Sequence, residues 1–440
     1  MLESMLNAFR APDIRRRLLF VAFILIVYRA LAHVLIPGIS SGALNTSGGD
    51  NSIFGLLSLF SGGDVRKMSI VGLGLNPYIN ATIIMQILQT TIPSLQALSR
   101  EGEYGRNKIT SYSRWLSVPL AALQAYGILA FLQADLSRSG ITAFTTPFSF
   151  ETYQSWTQII ALTTGSIVLM WLGELITEKG IGNGISFIIF AGIVSRVPGT
   201  VGTFLTSPDW LELITFGLVG ILIIFTIIFV QEGQRRIPIQ YANRVRGHRI
   251  YQGGSTFLPL RVNMSGVIPI IFAISILLFP LQIATYFGNS SVGWVKDIST
   301  FIADPSSGIL RTSGPIYLSL YFLLTLGFGF FYTFIVFKPD ETANNLRKSG
   351  GFIPGIRPGQ PTEDYLRRVA FRITLAGASF IALVAVLPMV IAALPMFSNL
   401  SGVGVGLGGT SILIVFSVVV ETMKQLEAQL MMRSYEGFIR

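Results

Sequence analysis

The sequence predicts an all-α, polytopic membrane protein: ten transmembrane helices, five in each of two halves related by inversion. Three observations predict it. The composition is apolar, with 51% of 440 residues hydrophobic and only 12% charged, against about 25% charged in a soluble domain. Apolar segments recur at the length a bilayer-crossing helix needs, about 20 residues, one of them containing "GLVGILIIFTIIFV" (217–230). Lysine and arginine alternate sharply from one connecting segment to the next, as membrane topology requires. A transmembrane barrel would show alternating strands of about ten residues instead.

The ten spans are read at 18–36, 72–92, 115–134, 155–175, 184–205, 211–230, 264–286, 315–337, 369–391 and 404–423. Span 1 opens on "RRRLLFVAFILIVYRALA", whose basic start and A-x-A end also suit a cleavable signal, but the apolar character continues through "HVLIPG" and is long enough to cross. Arg29 and His33 lie four apart on one face of this span and are the main buried ionisable candidates. Snorkelling or one interhelical bond explains Arg29 more simply than transport chemistry. Before span 2, "SIFGLLSLFSGGDVRK" (52–67) carries an eight-residue apolar core, Ile53–Phe60, too short to cross.

Span 2 reads "GLGLNPYINATIIMQILQTT", with Pro77 expected to kink its start and Asn76, Asn80, Gln86 and Gln89 projecting from it. Span 7 begins "RVNMSGVIPIIFA". Neutral amides in lipid bond across helices for about 0.6–2 kcal/mol each, weak enough to break when helices separate. That suits a lateral opening, and it suits static packing equally. Pro119, Pro269 and Pro388 also fall inside spans, where freed backbone groups must find partners in a cavity or a neighbouring helix. Five spans lie on each side of residue 206, and an odd number per half implies inversion, with a cleft near mid-membrane. The halves are therefore placed at 1–205 and 206–440.

Of the 32 Lys and Arg residues, 25 fall on one side of the membrane and 6 on the other, with Arg29 inside span 1. The rule that basic loops stay inside puts both termini in the cytoplasm of a cell whose cytoplasmic membrane holds the protein. Glu174, Glu212 and Glu421 sit at span ends, where solvation is expected. Two cytoplasmic loops, 231–262 and 338–368, are far longer than ordinary connections. The first has β-forming residues around an "RGH" tip and predicts a projecting hairpin. The second, "KSGGFIPGIRPGQPTEDYLRR", is stiffened by Gly and Pro around Arg357, which predicts an outward guanidinium. Topology enforcement accounts for the basic charge of these loops but not for their length.

No enzyme is expected. The chain has no cysteine and two distant histidines, His33 and His248. H-E-x-x-H, G-x-S-x-G and the P-loop pattern are absent, so neither metal nor cofactor is expected. A secondary transporter of a small solute remains the rival reading, because it shares inverted repeats and broken helices; it predicts a charged site and short cytoplasmic loops. An intramembrane protease needs a dyad or metal for which no residues stand out.

Five segments, "GLNPYINATIIMQIL", "TEKGIGNGISFIIFAGIV", "RVNMSGVIPIIFA", "FIPGIRPGQPTEDYL" and "LGGTSILIVFSVVVE", resemble the SecY family, in order and over essentially the whole chain; "LMMRSYEGFIR" resembles its bacterial branch. The resemblance implies an hourglass pore between the halves that passes unfolded secretory polypeptides and releases signal or transmembrane segments sideways into lipid. It implies a pore ring of Leu75, Ile79, Ile185, Ile189, Ile271 and Ile414, aliphatic side chains that exclude ions by dewetting. Leu75 stands where bacterial relatives often have Ile, a nearly isosteric change. It implies that residues about 52–63 form a plug that includes Ile53, Phe54, Leu56, Leu57, Leu59 and Phe60, with Ser61-Gly62-Gly63 as hinge; an interfacial helix is the competing reading. A lateral gate between spans 2–3 and 7–8 would include Gln86 and Asn263. Arg357, with Arg244, Arg246 and Arg249, would dock the motor ATPase SecA or the ribosome through its rRNA phosphates, a contact that salt weakens. Implied partners also include the small membrane subunits SecE and SecG, nascent chains and membrane lipid.

Overall fold

A computed structural model describes residues 11–39, 68–138, 151–195, 210–241, 244–246, 249–251, 254–287, 293–303, 314–392 and 409–439, with a few isolated positions between them. In chain order the elements are α1 (Pro12–Leu31), α2 (Asn76–Thr91), α3 (Pro93–Arg100), α4 (Glu103–Arg138), α5 (Tyr153–Lys179), α6 (Gly184–Val194), α7 (Trp210–Glu232), β1 (Gln234–Tyr241), β2 (Arg244–Arg246), β3 (Arg249–Tyr251), β4 (Ser255–Arg261), α8 (Ile268–Phe287), α9 (Gly293–Ala303), α10 (Pro315–Val336), α11 (Pro339–Lys348), β5 (Gly351–Phe352), α12 (Gln360–Ala392) and α13 (Gly409–Ile439). Each of the ten predicted spans overlaps a helix, in order α1, α2, α4, α5, α6, α7, α8, α10, α12 and α13, although α6 covers only the first half of the span at 184–205, whose remainder lies mostly outside the described residues. Among the described residues, the stretches Tyr153–Lys179, Pro315–Lys348 and Gln360–Leu387 are long and apolar enough to cross a membrane on length and composition alone.

The chain forms two compact units. The first comprises Met1–Leu213, Ile274–Leu318 and Pro388–Arg440; the second comprises Ile214–Ala273 and Ser319–Leu387. Within the first, α5 is central and packs against α1, α2, α4 and α6, while α6 also packs against α13. The buried residues of α5 form stripes at helical spacing, Gln158, Leu162, Gly165, Leu169 and Leu172 among them. Gly165 permits the closest approach: a Cβ there would meet the carbonyl oxygen of Ile70. The partner is the segment 68–75, a run of turns beside α5 in which Gly72 N–H donates to Ser69 O (2.8 Å) and Gly74 N–H to Val71 O (2.9 Å). Other backbone groups of the segment are met from outside it, as irregular backbone at depth requires. Ile36 N–H donates to Met68 O (2.9 Å), Ile70 N–H to Val34 O (2.9 Å), and the Ser166 hydroxyl to Gly74 O (2.9 Å).

Span 2 therefore begins its helix at Asn76, four residues after the predicted edge. Pro77 lies in the first turn of α2 and Pro269 in the first turn of α8, where a missing N–H breaks no helical bond. Pro77 thus sits at the start of its helix, as the sequence predicts, and Pro269 opens α8 rather than interrupting it. Pro119 does lie inside α4, as does Pro280 inside α8.

In the second unit, α7 exposes Leu218, Ile221, Leu222, Phe225 and Phe229 along one stripe, the inverse of a soluble helix and the pattern of a lipid-facing one. The loop 231–262 is the predicted hairpin: β1 pairs antiparallel with β4, from Gln234 opposite Arg261 to Gln240 opposite Ser255. Beyond it β2 pairs with β3. Alternation along β1 buries Ile237 and Ile239 and exposes the residues between. The second loop is not separate from the first. Its β5 adds to β1, with Gln240 opposite Phe352 and Tyr241 opposite Gly351, giving the order β4-β1-β5. Ile237, Leu260, Ala343, Ile353, Leu366, Val369 and Ile373 close one core beneath this sheet. α11 starts on Pro339, carries Asp340 and Glu341 in its first turn and Arg347 and Lys348 in its last, matching the helix dipole at both ends.

Candidate functional site

Leu75 is the N-cap of α2, and Ile79 N–H donates to Leu75 O (2.9 Å). The two side chains therefore sit one turn apart on one face. Leu75 is fully buried and Ile79 is 5% exposed. Ile185 and Ile189 make the same i, i+4 pair on α6, Ile189 buried and Ile185 half-buried. Ile414 is buried on α13, the helix that packs against α6. Ile271 is half-buried on the first turns of α8, in the second unit.

The "GIGNGIS" segment shows why α6 begins where it does. Asn183 caps the helix, its side-chain oxygen accepting from Ile185 N–H (3.1 Å) and Ser186 N–H (3.3 Å). Gly184 N–H donates to the Thr177 hydroxyl oxygen (2.9 Å), and a Cβ on Gly184 would meet the Gly173 carbonyl. The motif clamps the start of α6 onto α5, and with it the Ile185–Ile189 face.

The two gate residues behave differently. Gln86 Oε1 is buried and accepts no hydrogen bond from the described residues. Asn263 is engaged locally: its amide nitrogen donates to Gly266 O (3.2 Å), and its oxygen accepts from the Ser265 hydroxyl (3.3 Å). Those bonds fix the turn that enters α8.

Arg357 is exposed on a short projecting turn. Ile353 anchors one side in the core, Ile356 N–H donates to Ile353 O (3.0 Å), and the Thr362 hydroxyl donates to Arg357 O (2.8 Å). The backbones of Arg244, Arg246 and Arg249 form the β2–β3 ribbon, Arg246 opposite Arg249; their side chains lie outside the described residues. Ile53, Phe54, Leu56, Leu57, Leu59, Phe60 and the hinge at 61–63 also lie outside them.

Two expectations about ionisable groups are corrected. Glu174 is not simply solvated: its carboxylate accepts from Arg114 Nε at 2.7 Å, tying α5 to α4. Arg29 and His33 are not a buried pair. His33 is exposed and Arg29 half-buried, and His33 Nδ1 donates to the Arg29 carbonyl at the end of α1 (2.8 Å). Among the described residues no three His, Cys, Asp or Glu side chains gather as a metal site would need.

A SecY family model matches residues 69–423. A protein translocase subunit SecY of Streptomyces coelicolor is 42% identical over 450 residues, covering 100% of both chains. The chain belongs to the SecY family. The fold agrees. A solved SecY, described as one whose plug domain stabilises the closed state of the translocation channel and maintains a membrane seal, superposes with a TM-score of 0.58 at 19% identity, over 93% of this chain and 91% of that one. Sec61 from the canine ribosome–channel complex gives 0.58 at 20% identity over the same shares. At those identities the likeness shows the SecY fold, that of a multi-pass helical membrane protein.

Three features of this SecY-family chain escaped the sequence reading. The Arg114–Glu174 pair joins residues on α4 and α5, sixty positions apart, and no local pattern announces it. The β5–β1 pairing crosses more than a hundred residues. The Asn183 cap did have a signal, an Asn directly before an apolar helical run.

Proposed function

We infer that the chain is the protein-conducting subunit of a bacterial-type translocase. It passes unfolded secretory polypeptides across the cytoplasmic membrane and releases signal or transmembrane segments sideways into lipid. The full-length 42% identity to a translocase subunit carries this reading; nothing comparable favours the small-solute transporter. The chain itself performs no chemical step. Its two halves, 1–205 and 206–440, enclose the pore, and both termini face the cytoplasm with the basic loops.

Leu75, Ile79, Ile185, Ile189, Ile271 and Ile414 form the ring. Four of the six are shielded in the structure, Leu75, Ile79, Ile189 and Ile414, which supports a closed, dry constriction rather than lipid-facing positions. Ile53–Phe60 seal the ring from outside. Deleting residues 53–60 is expected to raise the ion conductance of resting channels in planar bilayers several-fold; currents equal to the intact channel would refute that role.

Gln86 and Asn263 contribute to the lateral gate. The unbonded Gln86 oxygen supports an amide that exchanges partners as the gate moves. SecE and SecG flank the channel, and SecA or the ribosome engages the β2–β3 ribbon and the Arg357 turn. Both belong to the same compact unit, and the Arg357 turn is anchored on the core beneath the β4-β1-β5 sheet, which supports a shared docking face. Arg357→Glu should lower SecA-driven secretion roughly ten- to hundred-fold, about what loss of one charge-assisted hydrogen bond (~1.5–3 kcal/mol) produces. Because Arg357 is exposed, the protein should accumulate normally. Unchanged export of a SecA-dependent substrate would remove Arg357 from the docking surface. Co-purification of the two small subunits with the intact chain tests the assembly.

A further inference from the structure

The connection from α8 to α10 lies on the membrane side opposite the basic loops, because β4 leads into α8 and α10 leads into α11. It contains α9, "GWVKDISTFIA", which no part of the channel reading uses. Over these 11 residues, about 16 Å of helix, the surface divides into three stripes at helical spacing. Val295, Ser299 and Ile302 are wholly or partly covered by protein. Lys296, Asp297 and Thr300 are exposed and polar. Trp294, Ile298 and Phe301, at i, i+4 and i+7, are exposed by 69%, 52% and 62%.

A water-facing stripe of this composition is unfavourable, since three large apolar side chains remain hydrated. Their exposure matches that of the lipid-facing residues of α7, such as Leu222 at 60% and Phe225 at 71%. Only five residues, 288–292, separate α8 from α9, so α9 starts within about 20 Å of the end of a membrane-embedded helix. Leu310 N–H donates to Ile302 O (3.2 Å), drawing the returning chain onto the end of α9.

We propose that α9 is an interfacial anchor: it lies flat in the membrane leaflet opposite the basic loops, with Trp294, Ile298 and Phe301 at the boundary between headgroups and acyl chains. A short amphipathic helix with an aromatic apolar stripe takes that position, and tryptophan favours that depth. Lys296 and Asp297 cancel in charge, so binding depends on apolar area rather than on anionic lipid. The anchor holds the α8–α10 connection at fixed depth. The proposal is independent of what passes through the channel.

The chain has no cysteine, so single cysteines report cleanly. The full chain with its co-expressed partner subunits is reconstituted in vesicles of phosphatidylethanolamine and phosphatidylglycerol, and separately of phosphatidylcholine. A nitroxide is attached to Ile298→Cys, Phe301→Cys or Thr300→Cys. Collisions with oxygen, which concentrates in lipid, are compared with those of a water-soluble nickel chelate. At positions 298 and 301 oxygen collisions should exceed nickel collisions several-fold, position 300 should show the reverse, and the two lipid compositions should agree. If 298 and 301 resemble 300, the stripe lies in water and the proposal fails. If both reagents are excluded from 298 and 301, a protein chain covers the stripe and the lipid assignment fails. Oxygen access that appears only with phosphatidylglycerol would overturn the area-driven mode of binding.

Discussion

Replacing Gly165 by valine should leave little or no folded protein in the membrane. The Cβ alone would occupy the position of the Ile70 carbonyl oxygen, and valine adds two methyl groups. The segment it strikes cannot retreat. Residues 68–75 are tied by the Ile36–Met68 and Ile70–Val34 backbone bonds and by the Ser166–Gly74 bond. Val71, Leu73 and Leu75 are packed at 1% exposure or less. Overpacking a close-packed interior ordinarily costs about 1–3 kcal/mol, and a clash with fixed backbone lies at or beyond the upper end of that range. Accumulation in membranes and the thermal midpoint in detergent measure this. Gly217→Val is the control, because a Cβ at Gly217 meets nothing. If Gly165→Val accumulates like the parent chain, the tight approach of α5 to segment 68–75 is wrong.

The second large effect is expected at the ring. Ile189→Asn should produce channels that leak ions at rest without losing the protein. Ile189 is 1% exposed on α6, and an amide in an apolar setting without a partner costs about 1–3 kcal/mol. In a packed helix contact that cost destabilises the fold. At a dewetted constriction, water entering the pore relieves it, and water carries ions. A change of about 1.4 kcal/mol in the wetting equilibrium is ten-fold in the wet population, so resting conductance should rise by roughly that factor. Leu222→Asn, on the exposed stripe of α7, should leave conductance unchanged. A tight Ile189→Asn channel present at normal levels would argue that this side chain does not face the pore.

Much of the fold was legible because lipid imposes a simple grammar. Long apolar runs marked ten helices. The hairpin at 231–262 was legible from its β-forming residues around a turn. Finer features depended on distant partners. The start of α2 at Asn76 is set by how segment 68–75 packs on Gly165. The addition of β5 to β1 depends on a pairing that neither loop encodes alone. Glu174 looked like a solvated span end until Arg114 proved to lie 2.7 Å away.

The site was less legible for a different reason. Leu75, Ile79, Ile189 and Ile414 are aliphatic residues among many, and periodicity alone does not separate a pore-facing isoleucine from a buried or lipid-facing one. Resemblance singled them out, and the structure adds that these four are shielded while Leu218, Ile221 and Phe225 are not. Arg357 was more readable, because Gly355 and Gly359 on either side have backbone angles that hold a turn (φ +81° and +105°).

The most direct test of the central claim is site-specific crosslinking to a polypeptide in transit. A photoreactive residue is placed at Ile79, Ile189 or Ile414, with Leu222 as the outward-facing control, and a stalled chain bearing a signal sequence is engaged. Adducts with the stalled chain at the three ring positions, and none at Leu222, are the predicted result. Continued translocation with no polypeptide adduct at any of the three would contradict the account.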